Sequence, residues 1–279
     1  MLFWSTAALF FSYAKDIPIF LLLSIHSFAS FLVFVPIWLV RYKTGFFKVF
    51  TIPPKAIIFP FIGLGSYSLL YAAAFKNSPV EEANLINYLW PLFIILFSGL
   101  LPNHQLKPFM LIGSIIAFSG VIFLKGGLHF DFSGFQFGHV MALIAALHWS
   151  VYSLIIKHQK LSSTGVPVSA LYRAIAFFVL HILFGPEQSL ENFALLNAAA
   201  LGAIVGIGYY CWDIAMKHGD ALSMSIFAYF TPLLSTILLV TFSYPIFTAN
   251  LGIATILIIL GTLIASKDKI ERLIRRQKA

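Results

Sequence analysis

Ten apolar segments, separated by short polar links, make up almost all of this 279-residue chain. A helix crosses a hydrocarbon core of roughly 30 Å with about 17–25 apolar residues. Hydrophobic residues form 60% of the chain and charged residues 10%, and a soluble protein of this composition could not cover its surface with polar groups. We therefore predict an all-α membrane protein with ten transmembrane helices, at approximately residues 2–14, 18–40, 56–75, 79–101, 107–125, 137–157, 166–184, 194–216, 221–243 and 249–266.

The basic residues are distributed unevenly between the two sides of this array. With the N-terminus inside, 14 of the 18 Lys and Arg residues fall on the cytoplasmic side, three fall outside, and Arg173 lies within a span. Cytoplasmic loops of membrane proteins are enriched in basic residues, so we predict a multi-pass bacterial inner-membrane protein with both termini in the cytoplasm. The net charge of +8 then needs no nucleic-acid partner, and the basic tail would lie against anionic lipid headgroups.

The chain repeats itself at a distance of 141 residues. This shift aligns three spans without gaps and matches Tyr71 with Trp212, Tyr88 with Tyr229, Pro91 with Pro232 and Gly120 with Gly261, while a shift of 145 matches Trp4 with Trp149. We predict a first five-helix repeat at 1–130, a second at 131–266 and a cytoplasmic tail at 267–279. Because five is odd, the second repeat is inverted relative to the first, as in many secondary transporters.

Span 4 contains a polar stripe in an otherwise apolar helix. Asn84, Asn87, Tyr88 and Pro91 are spaced i, i+3, i+4 and i+7 and so share one helical face. An amide facing hydrocarbon is costly, so this face is expected to line a polar cavity near the membrane midplane. Proline interrupts helical hydrogen bonding, and we expect Pro91 and Pro232 to act as hinges, with Gly120 and Gly261 at hinges or close helix contacts.

Two charged residues within predicted spans have alternative interpretations. Asp213 in span 8 and Arg173 in span 7 are candidates for proton coupling or, for Asp213, for binding the amino group of a substrate. A buried ion pair of Asp213 with Arg173 or Lys217, without a role in transport, is equally compatible with the sequence. The histidines lack the spacing of a metal site, and we predict no metal and no cofactor.

Other functional classes lack their motifs. A catalytic Gly-x-Ser-Gly, paired membrane aspartates and His-Glu-x-x-His are absent from the sequence, and so is the phosphate-binding loop of nucleotide hydrolases. No ring of like charges or carbonyl filter typical of a channel can be read from it. We therefore predict that the chain is not an enzyme and that it uses no ATP.

Several motifs resemble the drug/metabolite transporter superfamily, EamA type. These are the tryptophan near the start of each half and the glycine-bearing segments "GSIIAFSGVIFLKGG" and "GIATILIILGTLIASK" that end the halves. Within that superfamily, "NYLWP", "GIGYYCWDIAMKHGD" and "AYFTPLLS" resemble the YddG-like aromatic amino-acid exporters. Span 1 is about two helical turns shorter than its counterpart, so either the chain truly starts late or Met1 is not the natural start.

The resemblance implies a transporter with a substrate site between the two halves. It implies export of amino acids by alternating access, and aromatic or bulky apolar amino acids are the first expectation. The alternative is export of another metabolite or a drug, such as threonine or a purine. The partners expected are a small-molecule substrate and the lipid bilayer, with a monomer as the working expectation. The residues that the resemblance implies for substrate binding are Trp4, Tyr67, Tyr71, Asn84, Asn87, Tyr88, Trp149, Tyr209, Trp212 and Tyr229.

Overall fold

The computed structural model describes residues 2–99, 107–126, 134–187, 191–219, 230–242, 248–268 and 270–271. These residues form helices and no β-strand. The helices are α1 (Leu2–Ser5), α2 (Ala7–Ala14), α3 (Ile19–Leu32), α4 (Val35–Tyr42), a 3-10 helix (Lys43–Phe50), α5 (Pro54–Lys76), α6 (Val80–Asn87), α7 (Trp90–Gly99), α8 (Pro108–Gly126), α9 (Phe137–His158), α10 (Gly165–Phe184), α11 (Asn192–His218), α12 (Phe230–Phe242) and α13 (Ala249–Ala265).

Within the described residues, six helical segments are long and apolar enough to cross a membrane. They are Ile19–Tyr42, Pro54–Lys76, Val80–Ser98, Phe137–His158, Gly165–Phe184 and Asn192–His218. Three shorter apolar helices cover Leu2–Ala14, Pro108–Val121 and Ala249–Ala265. The predicted helical class is confirmed, whereas the number of ten spans and the division into two inverted repeats stay predictions.

Small residues bring α8 and α13 into close contact. A Cβ atom added to Gly261 would overlap backbone atoms of Gly113 and Ala117 in α8, and one added to Gly120 would lie 2.9 Å from the carbonyl oxygen of Ala254. Helices in a bilayer gain stability mainly from such close packing, since lipid supplies no hydrophobic drive between them. Both glycines expected at hinges or close contacts, Gly120 and Gly261, lie in this interface.

Glycines also allow close packing between α3 and α11. A Cβ atom on Gly202 would overlap the backbone of His26, and one on Gly206 would lie 2.7 Å from Ser30 Cβ. The Ser30 hydroxyl donates a hydrogen bond of 2.6 Å to the carbonyl oxygen of Gly202. These contacts hold α3 beside α11 and determine which face of α3 packs against α11.

The predicted span 4 is interrupted at its polar stripe. Helix α6 ends at Asn87 and α7 begins at Trp90, with a turn at Tyr88 and Leu89 between them. Pro91 has no N–H to donate to the carbonyl of Asn87, which is the physical reason for a break at this position. Pro232 lies in the first turn of the described part of α12, and Tyr229 lies outside the described residues.

Candidate functional site

Four tryptophans from four different helices pack against one another. Trp4 of α1, Trp90 of α7, Trp149 of α9 and Trp212 of α11 have ring centroids 5.2–6.4 Å apart in every pairing. Several pairs are edge-to-face, the arrangement that aromatic quadrupoles favour. The cluster therefore joins helices from both halves of the sequence through one aromatic contact surface.

A cavity of about 70 Å³ lies beside this cluster, with room for about five water molecules. Its walls come from the first helices of the chain together with α5, α6, α7, α9 and α11, and they are mainly aromatic and aliphatic. The lining residues are Trp4, Ala7, Phe11, Leu22, Leu23, His26, Tyr67, Ser68, Tyr71, Ala72, Phe75, Asn87, Tyr88, Trp90, Trp149, Leu201, Val205 and Tyr209.

Tyrosines extend the aromatic wall along α5 and α11. The Tyr67 ring stacks on Tyr71 at 5.6 Å between centroids and lies 4.9 Å from the Trp149 ring. Tyr209 lies 5.4 Å from Trp149 and 6.2 Å from Trp4. This wall can contact an aromatic or bulky apolar group through ring faces and edges.

A hydrogen-bond network fixes the two amides of α6. Tyr71 donates its hydroxyl to Asn84 Oδ1 at 2.7 Å, and Asn84 Nδ2 donates to the hydroxyl of Ser235 in α12 at 2.9 Å. Asn87 Nδ2 donates to the Tyr67 hydroxyl at 3.1 Å. Since both Asn side chains are 2% exposed, the network holds each amide in one orientation.

Three polar atoms of the cavity residues are buried without a hydrogen-bond partner in the part of the chain that the structure describes. They are Asn87 Oδ1, His26 Nδ1 and Trp4 Nε1, the last of which lies against Gly208. A buried polar group without a partner costs about 1–3 kcal/mol. All three atoms belong to residues that line the same cavity.

Seven of the ten residues expected to bind substrate line this cavity: Trp4, Tyr67, Tyr71, Asn87, Tyr88, Trp149 and Tyr209. Asn84 lies behind it in the amide network, and Trp212 lies behind it in the tryptophan cluster, where its Nε1 donates to Ser153 at 3.0 Å. Tyr229 lies outside the described residues.

The contribution of α3 and of Trp90 to the cavity was not predicted from the sequence. Leu22, Leu23 and His26 place α3 against the cavity, although this span was not expected to line it. Trp90 belongs to the interrupted stretch of span 4, and its position one residue before Pro91 is a signal that could have identified it. Leu22 and Leu23 carry no such signal, because leucines facing lipid and leucines facing a cavity are indistinguishable by composition.

Asp213 forms its ion pair with Lys217 and not with Arg173. Lys217 Nζ lies 2.6 Å from Asp213 Oδ2 and also donates to the Leu161 carbonyl at 2.8 Å and to Ser163 at 3.3 Å. Both charged side chains are almost fully buried, 6% and 11% exposed. Neither of them lines the aromatic cavity.

Arg173 is buried between α10 and α5. Its Nη1 donates to the Pro60 carbonyl at 3.2 Å and to the Ser169 hydroxyl at 2.7 Å. Among the described residues it forms no ion pair, and its aliphatic part lies 3.3 Å from the position of a Cβ on Gly65. The residue therefore lies beside the cavity-lining helices without lining the cavity itself.

A second close pair of ionisable side chains is formed by Glu82 and His139. Glu82 in the first turn of α6 lies 2.8 Å from His139 Nε2, and His139 Nδ1 accepts from the backbone N–H of Gln136 at 2.8 Å. The pair joins the start of α6 to the start of α9. The described residues contain no group of three His, Cys, Asp or Glu side chains placed to hold a metal ion.

The chain matches the EamA-like transporter family over residues 1–125 and 136–267. It is 34% identical over 274 residues to the aromatic amino acid exporter YddG of Ancylobacter novellus, covering 95% of this chain and 94% of the relative. The exporter of the same name from Escherichia coli is 26% identical over 217 residues, covering 72% of this chain and 73% of that protein. A crystal structure of a protein 33% identical in sequence matches the fold with a TM-score of 0.75, covering 100% of this chain and 96% of that one.

The match to the family and the high coverage of the Ancylobacter relative agree with the fold. The family and these relatives are transporters, and no catalytic activity is named among them. With six segments among the described residues long and apolar enough to cross a bilayer, the chain is a multi-pass membrane protein, and it belongs to the EamA-like transporter family.

Proposed function

We propose that this protein is a secondary transporter that exports amino acids with aromatic or bulky apolar side chains, or closely related small metabolites, across the bacterial inner membrane. The observation that carries the proposal is the aromatic cavity with its unpartnered buried polar atoms. The two YddG relatives named above as aromatic amino acid exporters support the same substrate class.

The cavity chemistry suits a zwitterionic amino acid. Its ammonium group would donate to Asn87 Oδ1, and its carboxylate would accept from the N–H groups of His26 and Trp4, the three atoms that lack partners. Charge-assisted hydrogen bonds of this kind are stronger than neutral ones. The side chain would then contact the rings of Trp149 and Tyr67, where an aromatic group gains the most contact area.

The cavity must widen to admit such a substrate. At about 70 Å³ it is smaller than the roughly 300–1,000 Å³ of pockets that hold small organic ligands. We propose that the structure is a closed conformation and that the substrate enters when helices on one side of the bundle separate. A ligand gradient drives such a cycle when the inward-open and outward-open states bind the substrate differently.

The inverted repeat is supported by one contact that occurs twice. Lys76 at the end of α5 donates to the Ile17 carbonyl at 2.5 Å, and Lys217, its counterpart at a distance of 141 residues, donates to the Leu161 carbonyl at 2.8 Å. Each carbonyl belongs to the link between the first two spans of its predicted half. We propose ten spans in two inverted halves, 1–130 and 131–266, with both termini cytoplasmic and the halves rocking about the cavity.

The break at Tyr88 and Leu89 provides a hinge for this movement. Leu89 N bonds to the Ile86 carbonyl at 3.1 Å in a tighter turn than an α-helix, and Ser150 of α9 donates to the carbonyl of Trp90 at 2.8 Å. Interrupted helices near the midplane are typical of substrate sites in secondary transporters. We propose that the protein works as a monomer, without cofactor, nucleic acid or catalytic activity of its own.

Uptake into liposomes tests the proposal. Purified protein is reconstituted, and uptake of radiolabelled phenylalanine is measured beside threonine and adenine. We expect saturable phenylalanine uptake that exceeds uptake of the other two. Asn87→Ala should lower phenylalanine uptake at least tenfold, because a hydrogen bond to a charged group contributes about 1.5–3 kcal/mol.

Asn197→Ala is the matched control for this experiment. Asn197 is also a buried asparagine, and its amide bonds to the Phe193 carbonyl of its own helix at 2.8 Å, away from the cavity. Its variant should keep wild-type uptake. Active liposomes that prefer threonine or adenine would refute the substrate class while leaving the transporter fold intact.

A further inference from the structure

A second cavity, larger than the aromatic one, lies between α5 and α9. It measures about 570 Å³ and shares no lining residue with the aromatic cavity. We call it the α5–α9 groove; it is lined by Lys55, Ile58, Phe59, Ile62, Gly63, His148, Val151, Tyr152, Ile155, Gln159, Lys160 and Leu161.

The long walls of the α5–α9 groove are apolar and face outward. Ile58 and Ile62 on α5 are 53% and 61% exposed, and Val151 and Ile155 on α9 are 46% and 42% exposed. On a helix pair that crosses the membrane, this exposure is to hydrocarbon. A groove of this composition suits an alkyl chain, because burial of apolar surface stabilises the contact and no polar group is left without a partner.

One end of the groove is basic. Lys55 lies in the first turn of α5, and Lys160 follows the end of α9 by two residues. Neither forms an ion pair among the described residues, and the sequence contains no Asp or Glu between 41 and 80 or between 132 and 186. Two ammonium groups without an anionic partner among these residues attract an anion.

The distance between the basic end and the deep end matches half a bilayer. From Lys55 to Ser66 is 11 residues of α5, which is about 16 Å at 1.5 Å per residue, and half the hydrocarbon core is roughly 15 Å. At the deep end His148 Nε2 lies 2.7 Å from Ser66 Oγ and 2.9 Å from the Gly63 carbonyl. The lysines would then lie at headgroup level while the groove ends near the midplane.

We propose that the α5–α9 groove binds one anionic phospholipid, with its phosphate between Lys55 and Lys160 and one acyl chain along Ile58, Ile62 and the facing side chains of α9. Basic pockets between membrane helices are suited to such headgroups. The site is independent of the proposed transport substrate. It holds together the two helices that carry Tyr67 and Trp149.

Native mass spectrometry of the purified full-length protein tests the site. Phosphatidylglycerol and phosphatidylcholine of equal chain length are titrated in turn, and the dissociation constant of the first bound lipid is measured. We expect tighter binding of phosphatidylglycerol, by at least tenfold. The double variant Lys55→Ala/Lys160→Ala should remove this preference, because each lysine near the surface contributes about fivefold.

Two further variants separate charge from shape. Lys43→Ala/Lys157→Ala removes two exposed lysines that do not line the groove, and it should keep the preference. Ile62→Trp fills the acyl-chain path and should weaken binding of both lipids, with folding checked by thermal unfolding. Equal affinity for both lipids in the wild type, an unchanged preference in Lys55→Ala/Lys160→Ala, or displacement of phosphatidylglycerol by inorganic phosphate would overturn the proposal.

Discussion

The buried pair of Asp213 and Lys217 gives a quantitative prediction for stability. Lys217→Met leaves the Asp213 carboxylate, in a side chain 6% exposed, without its cation. Removal of one partner of a buried ion pair costs about 3–5 kcal/mol. Asp213→Asn should cost less, about 1–3 kcal/mol, because the ammonium of Lys217 keeps two oxygen acceptors, on Leu161 and Ser163.

The double variant completes the thermodynamic cycle. Asp213→Asn/Lys217→Met removes both charges, so its cost should be smaller than the sum of the single costs by about 1–3 kcal/mol. Chemical unfolding in detergent, followed by tryptophan fluorescence, measures the free energy of unfolding of each variant. Lys157→Met is the matched control, since this lysine is exposed on α9, and its stability should not change by more than about 0.5 kcal/mol.

Transport by the same variants decides between the two interpretations of Asp213. Because neither residue lines the aromatic cavity, we expect Asp213→Asn to keep phenylalanine transport while the protein is less stable. Additive costs within about 0.5 kcal/mol would refute the energetic reasoning. A stable Asp213→Asn protein without transport would instead assign Asp213 to coupling.

Three further substitutions, one of them with a control variant, probe packing, the hinge and the tryptophan cluster. Gly261→Ala should lower stability by about 1–3 kcal/mol because its Cβ overlaps the backbone of α8. Gly65→Ala is the control and should cost less, since its Cβ meets a side chain, Arg173, at 3.3 Å and overlaps no backbone atom; thermal unfolding measures both. Pro91→Ala restores a helical N–H and should keep the fold but slow transport in liposomes, and wild-type rates would contradict the hinge. Ser153→Ala leaves the buried Trp212 Nε1–H without its acceptor and should cost about 1–3 kcal/mol in chemical unfolding; no change in the unfolding midpoint would show that this hydrogen bond is not stabilising.

Residues that share a face of one helix were predictable, and contacts between helices were not. The i, i+3, i+4 spacing in span 4 identified the stripe on which Asn87 and Tyr88 line the cavity and Asn84 joins the network behind it. Proline chemistry likewise indicated the interruption beside Pro91. Both features depend on local geometry, which the sequence determines directly.

The partners of Arg173 and the role of α3 depend on packing between segments, whereas Asp213 and Lys217 pair at i, i+4 spacing on α11. Arg173 was an equally compatible partner for Asp213 by sequence, and the structure instead directs its guanidinium to the Pro60 carbonyl and the Ser169 hydroxyl. The contribution of His26 follows from the close contact of Gly202 with the backbone of α3. Such relations require the arrangement of helices in space, which periodicity does not contain.

Equilibrium binding of radiolabelled phenylalanine to the purified protein tests the central claim most directly. The wild type should bind one phenylalanine per chain, and Trp149→Ala should bind it at least 30-fold more weakly, the loss expected for an aromatic anchor contributing about 2 kcal/mol or more. Trp38→Ala is the matched control, since Trp38 is buried to a similar degree in a separate aromatic cluster, and it should bind as the wild type does. Unchanged binding by a folded Trp149→Ala protein would contradict the assignment of the aromatic cavity as the substrate site.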